Sequence, residues 1–176
     1  MSLFAPFEPD AERLPRSRAR LRAAEEGDLE GVARLCHERS GGELQRHLRS
    51  FRGSFGEGVE QLFVAEEGRA LVAYAKCAPL AIPAEAPPEA IPGGWYLTGV
   101  VVAPAQRRRG LALALTQLRL DWLAQRTELV RSFASAQNPV SLALHARSGF
   151  EEERRNIWAP RVSFTGGVGV LFRRAL

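Results

Sequence analysis

The run Val100-Val101-Val102-Ala103-Pro104-Ala105-Gln106-Arg107-Arg108-Arg109-Gly110-Leu111-Ala112 constrains this chain more than any other stretch. Three successive valines favour an extended backbone. Pro104 cannot donate to a ladder, so the strand ends there. Beyond Gly110, apolar residues return at Leu111, Leu115, Leu118 and Trp122, with Ala114 and Leu123 alongside. That is helical spacing with one buried stripe. A strand is therefore handed to a helix across a short turn carrying three arginines. The first N–H groups of a helix lack internal partners, and the macrodipole makes that end electropositive. Phosphate is the natural ligand of such a place. Gly110 removes a side chain where a ligand approaches, and Arg107, Arg108 and Arg109 add charge. The plain alternative is a basic surface turn.

A chain of 176 residues suits one domain with a full core, and 45% hydrophobic residues is ordinary for a globular protein. No apolar run reaches bilayer length, and the first residues lack the apolar segment of a secretory signal. Cys36 and Cys77 read as small buried residues rather than a framework. His37, His47 and His145 show no metal spacing. The expectation is a cytoplasmic protein with neither disulfide nor metal. Net charge is +4, nearly all of it from arginine, since Lys76 is the only lysine. The arginines alternate with acids and lack interleaved aromatics, so neither nucleic acid nor membrane is an expected partner.

Residues 1–18 read as a loosely packed tail and 19–176 as the domain. A short strand is expected over 19–24. Asp28 is the candidate N-cap of a first helix that ends at Ser40-Gly41-Gly42, and 43–51 reads as a second helix. Gly53, Gly56 and Gly58 make a flexible connection. Strands over 61–66 and 69–78 flank a Glu67-Gly68 turn. Residues 79–94 are too proline-rich for an element interior. The strand 95–102 leads into the arginine turn, and a long helix runs to Gln125. Strand 128–136 precedes a helix with Asn138 as N-cap, Pro139 in its first turn and Gly149 just past its end. Residues 151–160 and 168–174 form a last antiparallel pair. The order predicts a mixed α/β, mostly antiparallel sheet of about six to seven strands with helices on both faces.

Two motifs carry a family resemblance. Arg107, Gly110 and Ala112 fill the pattern Arg/Gln-x-x-Gly-x-Gly/Ala. Asn138, Ser141, Leu144, His145, Gly149 and Phe150 fill Asn-x-x-Ala/Ser-x-x-Leu-Tyr/His-x-x-x-Gly-Phe. In this order, and with these elements around them, they resemble the GNAT acetyltransferases over roughly residues 19–174. The resemblance implies the GNAT fold, with a splayed central strand pair, and acetyl-coenzyme A as cosubstrate. It implies that the amides of Arg107, Arg108, Arg109, Gly110, Leu111 and Ala112 hold a pyrophosphate. The strand Val100, Val101 and Val102 would pair with the pantetheine arm, chiefly through backbone groups of Val100 and Val102, and an amide there would polarise the thioester carbonyl. Asn138 either bonds that arm or caps its helix, and Ser141 contacts the cofactor or packs.

His145 stands where many relatives place a tyrosine that protonates the departing thiolate, and its imidazole is a candidate for that role. The alternative is a hydrogen-bonded helix-face histidine. Strict alternation puts Tyr96, Thr98, Val100 and Val102 on one face. That face offers Tyr96 and Thr98 as catalytic candidates but no strong base. A water chain ordered by either, or a carboxylate from Glu43 or from the 79–94 loop, would substitute, and Glu85 and Glu89 of that loop are candidates to attract a cationic amine or are simply solvated. The reading implied is transfer of an acetyl group to a primary amine of a small molecule by direct attack, possible as a homodimer. The alternatives are a protein or peptide N-acetyltransferase and a non-catalytic acyl-coenzyme A-binding sensor.

Overall fold

The computed structural model describes residues 14–56 and 60–176. Most of the expected tail and Gly58 of the glycine connection lie outside those residues. Eleven principal elements follow in chain order: β1 (Arg20–Ala23), α1 (Leu29–Ser40), α2 (Leu44–Ser54), β2 (Gln61–Glu67), β3 (Ala70–Leu80), β4 (Gly94–Val102), α3 (Leu111–Leu123), β5 (Leu129–Ser135), α4 (Pro139–Arg147), β6 (Glu151–Arg155) and β7 (Gly169–Ala175). The strands form one sheet in the order β1-β2-β3-β4-β5-β7-β6. Every neighbour pair is antiparallel except β4 with β5.

Strand alternation sorts the core onto two faces. Phe63, Ala65, Ala75, Cys77 and Leu97 meet α3 through Leu111, Leu115, Leu120 and Leu123. Leu62, Val64 and Tyr74 turn the other way, onto α1 (Leu29, Val32, Ala33, Leu35) and α2 (Leu48, Phe51). A third cluster joins Tyr96 and Leu171 to Ile91, Ile157 and Ala159. The loop after β3 is stitched to the segment after β6: Ile91 N–H donates to the Trp158 carbonyl and Trp158 N–H to the Glu89 carbonyl, both at 2.9 Å.

Three local expectations need correction. Asp28 does not cap α1. Its carboxylate accepts from the Glu25 amide at 2.8 Å and pairs with Arg22 at 2.6 Å, so a short 3-10 turn over Glu26–Asp28 precedes the helix. The segment just before β1 is fastened: the Ser17 amide donates to the Arg109 carbonyl at 3.0 Å. And β4 does not alternate strictly. Cys77 pairs with Leu97 but Lys76 with Gly99, leaving Thr98 as an extra, unpaired residue. This bulge shifts the pleat. Leu97, Val100 and Val102 therefore share the α3 face, while Tyr96 and Val101 lie on the opposite one.

Candidate active site

The site begins where β4 and β5 part. They pair only at Trp95–Val130, Tyr96–Arg131 and Leu97–Ser132. Beyond Leu97, β4 continues to Val102 along β3, while β5 continues to Ser135 along β7. A gap opens between two strands that each keep their other neighbour. Which groups of β4 face the gap follows from the ladder. Ala103 N–H donates to the Val72 carbonyl at 2.9 Å, so Val72–Ala103 is a hydrogen-bonded pair. Antiparallel pairs alternate, so Val101 spends its backbone groups on Tyr74. Val100 and Val102 turn N–H and C=O away from β3, toward the gap. Arg107 Nε donating to the Val102 carbonyl at 3.4 Å agrees with this. Val101 is thereby corrected: it offers no backbone group to a ligand in the gap, and its side chain packs toward α1 and α2.

At the end of β4 the turn winds through Arg108 (φ 65°) and Gly110 (φ 84°), both left-handed. Such alternation turns successive N–H groups into one concavity. Among the described residues, the amides of Arg109, Gly110, Leu111, Ala112 and Leu113 make no hydrogen bond; the first in α3 is from Ala114 to the Gly110 carbonyl. The Arg107 amide is spent on the Pro104 carbonyl. Arg109 has a structural side chain, with Nε on the Pro15 carbonyl and Nη1 on Gln106 Oε1. Both acceptors are neutral, so Arg109 keeps its charge and adds it to that of the amides and the helix end.

Asn138 caps α4, its Oδ1 accepting from the Ser141 amide at 3.1 Å. His145 is only 8% exposed. Its Nδ1 lies 2.6 Å from the Ser141 carbonyl, and its Nε2 lies 2.7 Å from Ser132 Oγ. A carbonyl only accepts, so Nδ1 carries the proton. Burial pushes the imidazole down to about 4, and the charge of Arg119 pushes the same way. The ring is neutral near pH 7, its Nε2 accepts from Ser132, and it stacks on Phe172 at 4.6 Å. This corrects the expectation of a proton donor: both nitrogens are occupied within the protein. Tyr96 is corrected likewise. It is fully buried, its hydroxyl donates to the Pro92 carbonyl at 2.6 Å, and burial raises it to about 12.

Thr98 differs. Its Oγ1 is buried and has no hydrogen-bond partner among the described residues. Leaving a buried hydroxyl unpaired costs ~1–3 kcal/mol, which marks the position for a ligand or an ordered water. Beside the bulge sits a pair that sequence reading missed: Lys76 Nζ bonds Glu60 Oε2 at 2.8 Å, and Ser54 Oγ donates to Glu60 Oε1 at 3.1 Å. Only the register that puts Lys76 opposite Gly99 reveals it. Glu43 is exposed beside Arg49, and Glu85 and Glu89 are exposed in their loop. Burial raises the Cys77 thiol to about 12. Also missed was Arg119, 2% exposed in α3. Among the described residues no three His, Cys, Asp or Glu could hold a metal, and no helix is long and apolar enough to cross a membrane.

Among the described residues, then, one parallel strand pair forks beside a helix start whose first five amides make no hydrogen bond, in a mixed α/β fold. The Acetyltransferase (GNAT) family model matches residues 17–150, and the chain belongs to that family. It is an acetyl-coenzyme A-dependent acetyltransferase. Solved structures share the fold. A ribosomal-protein-alanine N-acetyltransferase from Brucella melitensis superposes with a TM-score of 0.68 at 21% identity, over 89% of this chain and 99% of that one. A phosphinothricin acetyltransferase from Sinorhizobium meliloti, in complex with AcCoA, gives 0.67 at 18% identity, over 91% and 89%. A spermidine N-acetyltransferase from Vibrio cholerae gives 0.64 at 18%, over 89% and 94%. No curated protein matches the sequence.

Proposed function

We propose that this chain transfers an acetyl group to a primary amine of a small molecule by direct attack, with no covalent enzyme intermediate. The observation that carries the reading is the fork: Val100 and Val102 face a gap that opens beside five amides without a partner among the described residues. Acetyl-coenzyme A, when bound, supplies the activated acetyl thioester. In this reading the amides of Arg109, Gly110, Leu111, Ala112 and Leu113 take the pyrophosphate, with Arg107 and Arg108 beside them. Val100 and Val102 bond the pantetheine arm. The Val100 N–H donates to a carbonyl oxygen as it gains negative charge. Asn138 and Ser141 shape the α4 side of the arm's path.

In this reading the acceptor enters from the α1 and α2 face, where the Lys76 ammonium lies over the Phe51 ring, and reaches the reacting carbonyl near the Thr98 bulge. The Thr98 hydroxyl orients the amine or the water that takes its proton. The Glu60–Lys76 pair neutralises itself, so it contributes polarity without net charge. Calorimetry with acetyl-coenzyme A tests the cofactor reading, and absence of binding at sub-millimolar concentration rejects it. Thiol release over small amines and N-terminal peptides tests the acceptor class. Turnover on small amines alone supports the reading; turnover on peptides alone replaces it, and tight binding without any turnover makes the chain a sensor.

A further inference from the structure

Arg119 is unusual in this protein. It is an arginine buried in the middle of the sheet's α3 face, and among the described residues no carboxylate pairs with it. Burying an unpaired cation is costly, so its hydrogen bonds must be good ones. They are. Nη1 donates to the carbonyls of Lys76 at 3.0 Å and Gly99 at 3.1 Å. Nη2 donates to Thr116 Oγ1 at 2.8 Å, and Nε to the Leu115 carbonyl at 3.3 Å. Thr116 in turn donates to the Ala112 carbonyl at 2.8 Å. One guanidinium therefore ties the first turn of α3, where the unpartnered amides lie, to both strands of the β4 bulge.

The Gly99 carbonyl and the Val100 N–H belong to one planar peptide and point in opposite directions. Fixing the carbonyl on the β3 side fixes the N–H on the gap side. A charge-assisted bond to that carbonyl also polarises the peptide and strengthens its N–H as a donor. Gly99 itself sits at φ 156°, a conformation other residues rarely adopt, so the bulge needs an external hold.

We propose that Arg119 is a positioning residue for acetyl transfer: it pins and polarises the Gly99–Val100 peptide so that the Val100 N–H is presented to the reacting carbonyl. This rests on the reading of the fork given above. Three variants separate charge from bulk. Arg119→Lys keeps the cation, Arg119→Gln keeps donors without charge, and Arg119→Met keeps only the stem. The first readout needs no cofactor: the Val100 amide resonance and its hydrogen exchange in the free protein. The resonance moves and exchange rises in Arg119→Gln and Arg119→Met, and both return toward wild type in Arg119→Lys.

With acetyl-coenzyme A and an accepted amine, kcat falls about tenfold or more in Arg119→Gln, in proportion to the cost of weakening one such donor. KM for acetyl-coenzyme A changes less than about threefold, because the Thr116 hydroxyl keeps its own bond to the Ala112 carbonyl and still holds the first turn of α3. Arg119→Lys recovers most of kcat. If Arg119→Met does not fold, the Gln and Lys pair carries the comparison. The proposal is overturned if Arg119→Gln matches wild type in kcat, if Gln and Lys lose kcat alike, or if the Val100 resonance stays in place. A wild-type protein that binds acetyl-coenzyme A but never turns over removes the catalytic reading, and with it the purpose assigned to Arg119, while the amide readout still decides the pinning.

Discussion

Replacing His145 by phenylalanine isolates what the buried imidazole does. A phenyl ring keeps the stack on Phe172 and removes both polar nitrogens. Ser132 is not stranded, because its hydroxyl already lies 3.1 Å from the Leu97 carbonyl. The energetic consequence is pH-dependent. The folded protein holds His145 at about 4, against an ordinary 6.5. Below 6.5 the unfolded chain takes up a proton that the folded one refuses. The stabilising contribution is thus complete above 6.5 and is lost as pH falls through about 4. That interval is worth ~3 kcal/mol in total, of which ~2.5 kcal/mol is spent between about pH 7.5 and about pH 4.5. Urea unfolding followed by tryptophan fluorescence at several pH values measures it. Carboxylate titrations are common to both proteins and cancel in the difference. Wild type loses ~2.5 kcal/mol more than His145→Phe on acidification over that range. In the same variant kcat falls less than about tenfold, where loss of a general acid costs ~10²–10⁴-fold. Parallel stability curves, or a hundredfold loss of kcat together with an ionisation near neutral pH, refute the reasoning.

Thr98→Val removes an unpaired buried hydroxyl at nearly constant shape, so stability holds or rises by up to ~1 kcal/mol while kcat falls; denaturation and thiol-release assays report both, and lost stability with full activity contradicts the role given to Thr98. Tyr96→Phe forfeits one bond to Pro92, costs ~1 kcal/mol by thermal unfolding and leaves kcat unchanged. Gly110→Ala meets no atom within 4 Å but must hold φ 84°. It therefore costs ~1–2 kcal/mol of stability, and calorimetry shows at least about tenfold weaker acetyl-coenzyme A binding, because the added methyl stands at the ligand's place. Affinity like that of wild type moves the pyrophosphate elsewhere.

The parts of the site made by backbone were legible in the sequence. Three valines, a proline, a glycine and a helical stripe specify a strand, a stop and a helix start, and all three are where the sequence puts them. The Asn138–Pro139 start of α4 was legible for the same reason, since a cap acts within three residues. Side-chain roles were not. One extra residue at Thr98 reverses which face Tyr96 and Val100 share, and no period-2 pattern announces a bulge. His145 looks like a proton donor until Ser132, thirteen residues earlier, is seen to occupy its second nitrogen. Lys76 lies in β3, Glu60 just before β2 and Arg119 in α3, and only the folded register brings each to the bulge.

A fork in a sheet needs something to keep it open, because two strands that part after Leu97–Ser132 leave backbone groups that closure would satisfy. The structure sets one anchor on each side. On β5, His145 of α4 bonds Ser132, the last paired residue, and wedges its ring between Phe150 and Phe172. On β4, Arg119 of α3 bonds Gly99, two residues past the last pair, and Lys76 behind it. Each anchor is a polar side chain carried on a helix and spent on one diverging strand. An apolar pair would fill the same volume but would not hold the individual peptides, since dispersion is not directional. The costs of burying an imidazole and a guanidinium are therefore understandable as the means of fixing where the gap begins. Breaking both anchors, as in His145→Phe with Arg119→Gln, should lose more turnover than the product of the single losses, because either anchor alone still limits the drift of its strand. A strictly multiplicative double mutant shows instead that the two strands are held independently.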